Sequence, residues 1–402
     1  MTKKICLAAF VMYVFLGVND GVNAANSEVP EPFQGFDASS AYTINYDDLN
    51  ALLKVLVLDV GRSNREKAKP TRAKTGTRMQ VKVKKTTVNE GNRFYFEAFK
   101  NDEVIRQQLS DMQNSLEQIP AEVPLEIFSR DEQLAYWLNL YNFTVLNEIV
   151  KVYPKRNLRK MLVGNDSILS KKLLTVAGIP LSLNDIQFII LNQNYNNNPL
   201  IIYGLYQGII GGPNIRDRAY TAGNVFRNLE KNAAEFVNSN RGTYAKSTKV
   251  FQVSSLYGRN KAYFNDFIPD LTEHLLRYLE GDEHGELQVA PKVTADIDDW
   301  TVTDLYGTYH EIGGSIADSS AALIGAIRST SQVDGQSVTT VATIESAAFA
   351  AKSQPLNRFS PELLTHLKEL NIKRENTAIK NARVTIEELG AVSENTEEKE
   401  NQ

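Results

Sequence analysis

The run Arg130-Asp131-Glu132-Gln133-Leu134-Ala135-Tyr136-Trp137-Leu138-Asn139-Leu140-Tyr141-Asn142, continuing to Val152, decides how this chain is read. Asp131 and Glu132 fall in the first turn of the predicted helix, where carboxylates complement the positive end of the peptide dipoles. Leu134, Trp137, Leu138, Tyr141 and Val145 share one face, while Ala135, Leu140 and Phe143 make the other side apolar as well. A helix that is apolar nearly all round belongs in an interior. This one nevertheless carries Asn139, Asn142 and Asn147, and a buried amide left unpaired costs about 1–3 kcal/mol. The helix therefore calls for polar partners on the segments around it.

Working outward, Leu49, Leu52, Leu53 and Leu56 give Asp47–Val60 helical spacing. Arg62 to Lys85 is strongly basic, and within it Met79, Val81 and Val83 alternate with polar residues as in a half-exposed strand. No aromatic residues are interleaved there for base stacking, so a solvated edge explains the charge better than nucleic-acid binding. Downstream, Ser182-Leu183-Asn184-Asp185 reads as a capping box with Asp in place of Glu, opening a helix through Ile186, Ile189 and Ile190. Pro199 to Tyr206 is apolar and β-branched enough for a buried strand, and Gly208 to Pro213 follows as a glycine-rich loop. A helix is predicted through Val225, Leu229, Ala233 and Phe236, then a strand at Phe251 and Val253, then a helix over Pro269–Leu279.

The N-terminus has the layout of a secretory signal: basic Lys3 and Lys4, an apolar run from Ile5 to Val18, and the small-residue site Val22-Asn23-Ala24. At about 14 residues the run is short of the ~20 needed to span a bilayer. Export, with a periplasmic or secreted location, is the expectation. Cleavage removes the only cysteine, Cys6, so the mature chain carries no thiol. It also removes two lysines and one aspartate, moving the net charge from −4 to −5. Such mild acidity gives no drive towards nucleic acid or anionic membranes. No later segment is apolar enough to cross a membrane.

The expected organisation is a signal peptide over residues 1–24, a lead-in helix and basic strand region over 25–96, a core over 97–281, an extension over 282–380 and a disordered acidic tail over 381–402. The fold class is mixed α/β: a helix-rich main domain with a small central sheet, plus peripheral C-terminal helices such as the one opening at Ser360-Pro361-Glu362.

The Arg130–Asn142 run resembles the "LAFWINLYN" signature of the domain of unknown function 547 family. Three further pieces agree in order: Leu183-Asn184-Asp185-Ile186-Gln187, Asn198-Pro199, and Val253-Ser254-Ser255 leading to Asn265-Asp266-Phe267. The resemblance covers roughly Glu97 to Leu279. It implies an α/β domain built around a histidine and two cysteines, for which thiol-dependent hydrolysis is plausible. Here the histidine position falls on Ile202, the cysteine positions on Gln207 and Gly212, and a second family histidine on Asn147.

The chemistry left to the mature chain is sparse. His274 is the only histidine inside the resemblance, and a Ser-His hydrolase would have to pair it with Ser254 or Ser255. No metal-ligand spacing and no phosphate loop occurs, so neither a metal nor a cofactor is expected. Two readings remain. One is an exported binding or scaffold protein whose candidate cleft is lined by Glu132, Asn139, Asn142, Tyr203, Tyr206 and Gln207, with a small molecule, peptide or protein as ligand. The other is a hydrolase using Ser or carboxylate chemistry in the same cleft.

Overall fold

The apolar helix forms over its full predicted length and stands at the centre of the protein. The computed structural model describes residues 28–67, 86–87, 90–100 and 102–305, with the backbone of three later strands at 309–312, 315–318 and 385–388. The expected signal segment, the basic strand around Met79–Lys85, the helix from Ser360 and most of the acidic tail lie outside the described residues.

In chain order the helices are α1 (Asp47–Leu56), α2 (Glu103–Glu122), α3 (Arg130–Val152), α4 (Arg159–Leu162), α5 (Asn192–Asn194), α6 (Val225–Val237), α7 (Ser255–Arg259), α8 (Phe267–Leu276) and α9 (Asp282–Val289). The strands are β1 (Tyr42–Asn45), β2 (Val57–Leu58), β3 (Arg93–Phe94), β4 (Lys172–Val176), β5 (Ile179–Ser182), β6 (Thr243–Ser247), β7 (Val250–Ser254), β8 (Val293–Ile297), β9 (Tyr309–Ile312), β10 (Ser315–Asp318) and β11 (Thr385–Glu388). This is a helix-rich mixed α/β fold with small sheets. The largest has three strands, β7 lying between antiparallel β6 and parallel β8. The other strands form antiparallel pairs, among them β1 with β11.

Ser129 caps α3 by accepting from the Glu132 N–H, and every residue from Glu132 to Leu146 is buried. Its large apolar side chains each contribute about 1.5–3 kcal/mol on leaving water. Phe33 packs edge-on against Trp137 with ring centroids 5.0 Å apart. The flanks of the helix are covered by α2, α6 and β1.

The predicted capping box is present. The Ser182 hydroxyl accepts from the Asp185 N–H at 3.1 Å, and the Asp185 carboxylate accepts from the Ser182 N–H at 2.6 Å. The helix that follows, Asp185–Leu191, winds as a π-helix before α5. Pro199–Tyr206 departs from the sequence expectation: Pro199–Gly204 is a 3-10 helix, not a strand. The Asn198 side chain accepts from the Leu200 N–H and Pro199 starts the turn with its fixed φ. Wound up, the segment buries Leu200 to Gly204 on all sides against α6 without needing a neighbouring strand.

Beyond Gly281 the chain returns to the centre. After β8, residues 299–305 run as a strap through the core. Gly208, at φ +72°, presents its carbonyl to the Thr303 N–H at 2.9 Å, and the Ile210 and Gly211 N–H groups bond the Thr301 and Asp299 carbonyls. On its other side the strap bonds Arg156 and Leu158, and its end meets Phe94 in β3. Arg93 is 1% exposed beside this strap; burial draws its pKa down to about 10, opposed by Asp299 and Asp304.

The glycine loop is thus shaped by backbone contact. A Cβ on Gly211 would lie 2.7 Å from the Asp299 nitrogen and 2.8 Å from its oxygen, neither of which can swing away. Gly211→Ala should lower stability by about 1–3 kcal/mol in urea unfolding. Gly223→Ala, with nothing within 4 Å of the added carbon, should leave the midpoint nearly unchanged.

Candidate functional site

The polar residues of α3 reach three different segments. The two carboxylate oxygens of Glu132 accept from the Ile44 N–H at 3.1 Å and the Ala222 N–H at 3.0 Å. Burial raises the pKa of this carboxyl, and those two N–H groups pull it back down. The Asn139 amide donates to the Tyr220 carbonyl at 2.8 Å and accepts from the Tyr220 N–H at 2.9 Å. Asn142 repeats the arrangement one turn on, donating to the Gly204 carbonyl at 3.0 Å and accepting from the Tyr206 N–H at 2.9 Å. Asn147, where the resemblance leads one to expect histidine, donates to Gln113 of α2 at 2.8 Å. These side chains hold loops to the helix by both faces of the amide.

The six residues expected to line one cleft therefore divide. Glu132 and Asn139 serve the segment 220–222, and Asn142 serves the 3-10 helix. The Tyr206 hydroxyl pairs with Thr303 of the strap. Tyr203 points elsewhere, to the Tyr257 hydroxyl at 3.1 Å and to His274 Nε2 at 2.9 Å. Gln207 is directed to an arginine instead. Its Oε1 accepts from Arg259 Nη2 at 2.9 Å.

Arg259 ends α7. Its Nη1 donates to the Ser255 hydroxyl at 2.8 Å, and its guanidinium carbon stands 4.8 Å from the centre of the Trp300 ring. Trp300 is positioned by its own Nε1, which donates to Asp298 at 3.0 Å. Burial lowers the Arg259 pKa to about 10, while Tyr141 and Asp298 act in the opposite direction. The Tyr141 hydroxyl is fully buried and has no hydrogen-bond partner among the described residues. Sequence reasoning missed Arg259 and Trp300. They come from α7 and the strap, and no local spacing links them.

The structure brings neither candidate serine to His274. Ser254 caps α7, accepting from the Leu256 N–H at 3.1 Å and donating to the Gly211 carbonyl at 3.4 Å. Ser255 is held by Arg259. His274 is enclosed by Tyr203, Phe264 and Tyr278. Among the described residues there is no group of three or more His, Cys, Asp or Glu side chains that could hold a metal ion.

Residues 125–237 match the model of a family described as "Protein of unknown function, DUF547". The chain carries a DUF547 domain. No curated protein and no solved structure matches the chain. The matched span of the DUF547 domain includes α3, the π-helix, the 3-10 helix, the glycine loop and α6.

Gln207 and Gly212, the two positions where the resemblance leads one to expect cysteines, lie side by side in the DUF547 domain. A Cβ placed on Gly212 lies 3.6 Å from the Cβ of Gln207. That separation suits a disulfide, whose Cβ atoms are about 3.5–4.5 Å apart. In place of a cross-link, this chain closes the loop with two arginines. Arg259 bonds Gln207, and Arg241 donates to the Gly212 carbonyl at 2.9 Å. The Gln207→Cys/Gly212→Cys double variant should oxidise to an intramolecular disulfide, seen as a loss of about 2 Da and of thiol titre. Two persistently free thiols after air oxidation would contradict the geometry.

His274 sets a pH dependence of stability. Burial depresses its pKa from 6.5 to about 4. The unfolded chain therefore binds a proton between those values that the folded chain does not, so stability is full above pH 6.5 and falls as pH drops towards 4. The loss should approach about 3 kcal/mol across that window, and His274→Phe should remove most of the slope in urea midpoints. Asn142→Ala, which strands a buried N–H and C=O, should cost about 2–4 kcal/mol at any pH in the same assay.

Proposed function

We propose that this is an exported, non-catalytic binding or scaffold protein that uses the DUF547 frame without the family's reactive groups. The observation that carries the reading is what fills the family's reactive positions. Ile202 is buried apolar packing in the 3-10 helix, Gly212 is a backbone acceptor for Arg241, and Gln207 is paired with Arg259. None of these can supply a nucleophile, and a nucleophile needs a base within hydrogen-bond reach. The serines nearest the site hold a helix cap and an arginine instead. Around Gln207 the groups are an amide, a guanidinium, a hydroxyl and an indole, with the Asp298 carboxylate bonded to that indole; none is a nucleophile paired with a base, which supports recognition without bond cleavage.

The signal-like N-terminus supports export, and among the described residues no helix is long and apolar enough to cross a membrane. Fractionation of producing cells should place a chain starting near Ala25 outside the cytoplasm; recovery of Met1 in the cytosolic fraction would contradict export. Thermal-shift screening against periplasmic metabolites and peptidoglycan fragments should find ligands that are recovered unchanged. Turnover of any ligand, abolished by Ser255→Ala or by loss of one nearby acid, would replace this reading with the hydrolase alternative.

A further inference from the structure

We propose that the surface formed by Val152, Lys155, Arg159, Lys160 and Val163 docks this protein on an anionic lipid bilayer. Such docking would serve a binding protein and an enzyme alike. From Lys151 to Lys172 the chain carries seven lysines and arginines against one acid, Asp166, although its net charge is −4. The positive charge is therefore concentrated, and within a screening distance of about 8 Å local charge outweighs net charge. Lys151 is paired with Glu148 at 2.5 Å and Lys172 with Asp185 at 2.6 Å. Lys155, Arg159 and Lys160 are exposed and form no ion pair among the described residues. Like charges left unpaired repel one another, and an anionic surface relieves that repulsion.

The second observation is aliphatic. Val152 and Val163, 39% and 43% exposed, are large apolar side chains left on this same surface. Each sits one turn from a cation. The Lys155 N–H bonds the Val152 carbonyl at 3.1 Å, and the Val163 N–H bonds the Arg159 carbonyl at 2.9 Å. Between the two turns, the Arg156 carbonyl and the Leu158 N–H bond Val302 and Trp300 of the strap, so residues 156–158 run extended. At about 3.4 Å per residue the turns stand about 10 Å apart. Leu158, Met161 and Leu162 are buried, and the Ile168 N–H ties the Met161 carbonyl at 3.0 Å. The surface is thus pre-formed, and docking has little chain entropy to remove.

These two features together select the partner. Nucleic acid offers phosphates but gains nothing from exposed valines. The one aromatic residue of the stretch, Tyr153, is half-buried with its hydroxyl tied to Glu97 and Asp304, and so is not offered for base stacking. A bilayer supplies anionic headgroups for the cations and, beneath them, acyl chains for the valines and the lysine stems.

The protein is purified as producing cells accumulate it. It is then sedimented with vesicles of phosphatidylcholine, or of equal parts phosphatidylcholine and phosphatidylglycerol. Binding to the anionic vesicles should be about tenfold or more tighter and should weaken as salt is raised. The neutral vesicles read any contribution from a retained signal segment. Lys155→Glu/Arg159→Glu/Lys160→Glu should lose about tenfold or more of the anionic binding, and the milder triple change to Gln should act in the same direction. Both should keep the unfolding midpoint, because among the described residues none of these side chains has a hydrogen-bond or ion-pair partner. Lys231→Glu/Lys246→Glu/Lys249→Glu makes the same change in net charge at exposed positions elsewhere and should bind as the parent does. Val152→Ser/Val163→Ser should weaken binding about threefold or more.

Equal binding to both vesicle types, or equal losses from the two lysine-and-arginine variant sets, would overturn the proposal. Tighter binding to duplex DNA than to anionic vesicles, or full vesicle binding by the valine variant, would reduce the surface to a polyanion contact and overturn it as well. Failure on any of these counts leaves the binding-protein reading in place, since that reading is decided by ligand turnover.

Discussion

The amides and the carboxylate on the buried helix α3 are all paired, and in this protein that pairing organises the fold. Asn139 and Asn142 each grip one backbone segment through both the carbonyl and the amino end of the amide. Glu132 gathers two more N–H groups from opposite sides of the chain. Segments far apart in sequence are thereby pinned to one rod at fixed heights. The apolar side chains of α3 give most of the burial energy, but they do not choose between neighbouring registers. The amides do, because a shift of one residue would leave both the helix and the loop with unpaired groups.

The strap at 299–305 answers a second constraint. The glycine loop at 208–212 presents backbone groups to the interior, and they need a backbone partner. The strap provides it on one edge and satisfies Arg156, Leu158 and Phe94 along the others. Gly211 is required because the strap comes too close for any side chain. The same strap carries Trp300 and Asp298 to Arg259, so closing the core and building the candidate site are one event. A cross-link between positions 207 and 212 would also close this loop. Here arginine hydrogen bonds do so.

Much of the frame could be read before the structure was known. The length of α3 and the presence of α1, α6 and α8 follow from helical spacing. However, α1 ends at Leu56, short of the expected Val60, and α8 runs over Phe267–Leu276 where Pro269–Leu279 was expected. The capping box at Ser182 follows from its residue types. The hairpin of β4 and β5 was missed because its turn uses Ala177 and Gly178, both at positive φ, where an Asn-Gly signal would have been visible. The 3-10 helix at Pro199 was misjudged for a related reason. A short apolar run looks the same whether it is extended or wound, and only the Asn198 cap and the fit against α6 separate the two. Of the expected site residues, Gln207 alone bonds Arg259. The others share its segments but spend their polar atoms on the fold.

What the sequence determined by itself is local or subtractive. It specified the buried helix, its need for polar partners, a signal-like N-terminus and a scarcity of histidine and cysteine. These are properties of spacing and residue type, and they require no knowledge of what lies opposite. The tertiary structure decided which atoms meet. It sent the amides to backbone, turned Tyr203 towards His274, threaded residues 299–305 through the core and set Arg259 between Gln207 and Trp300. Those pairings join residues distant in sequence whose side chains have several possible partners, and only packing density and the cost of an unpaired buried group select among them.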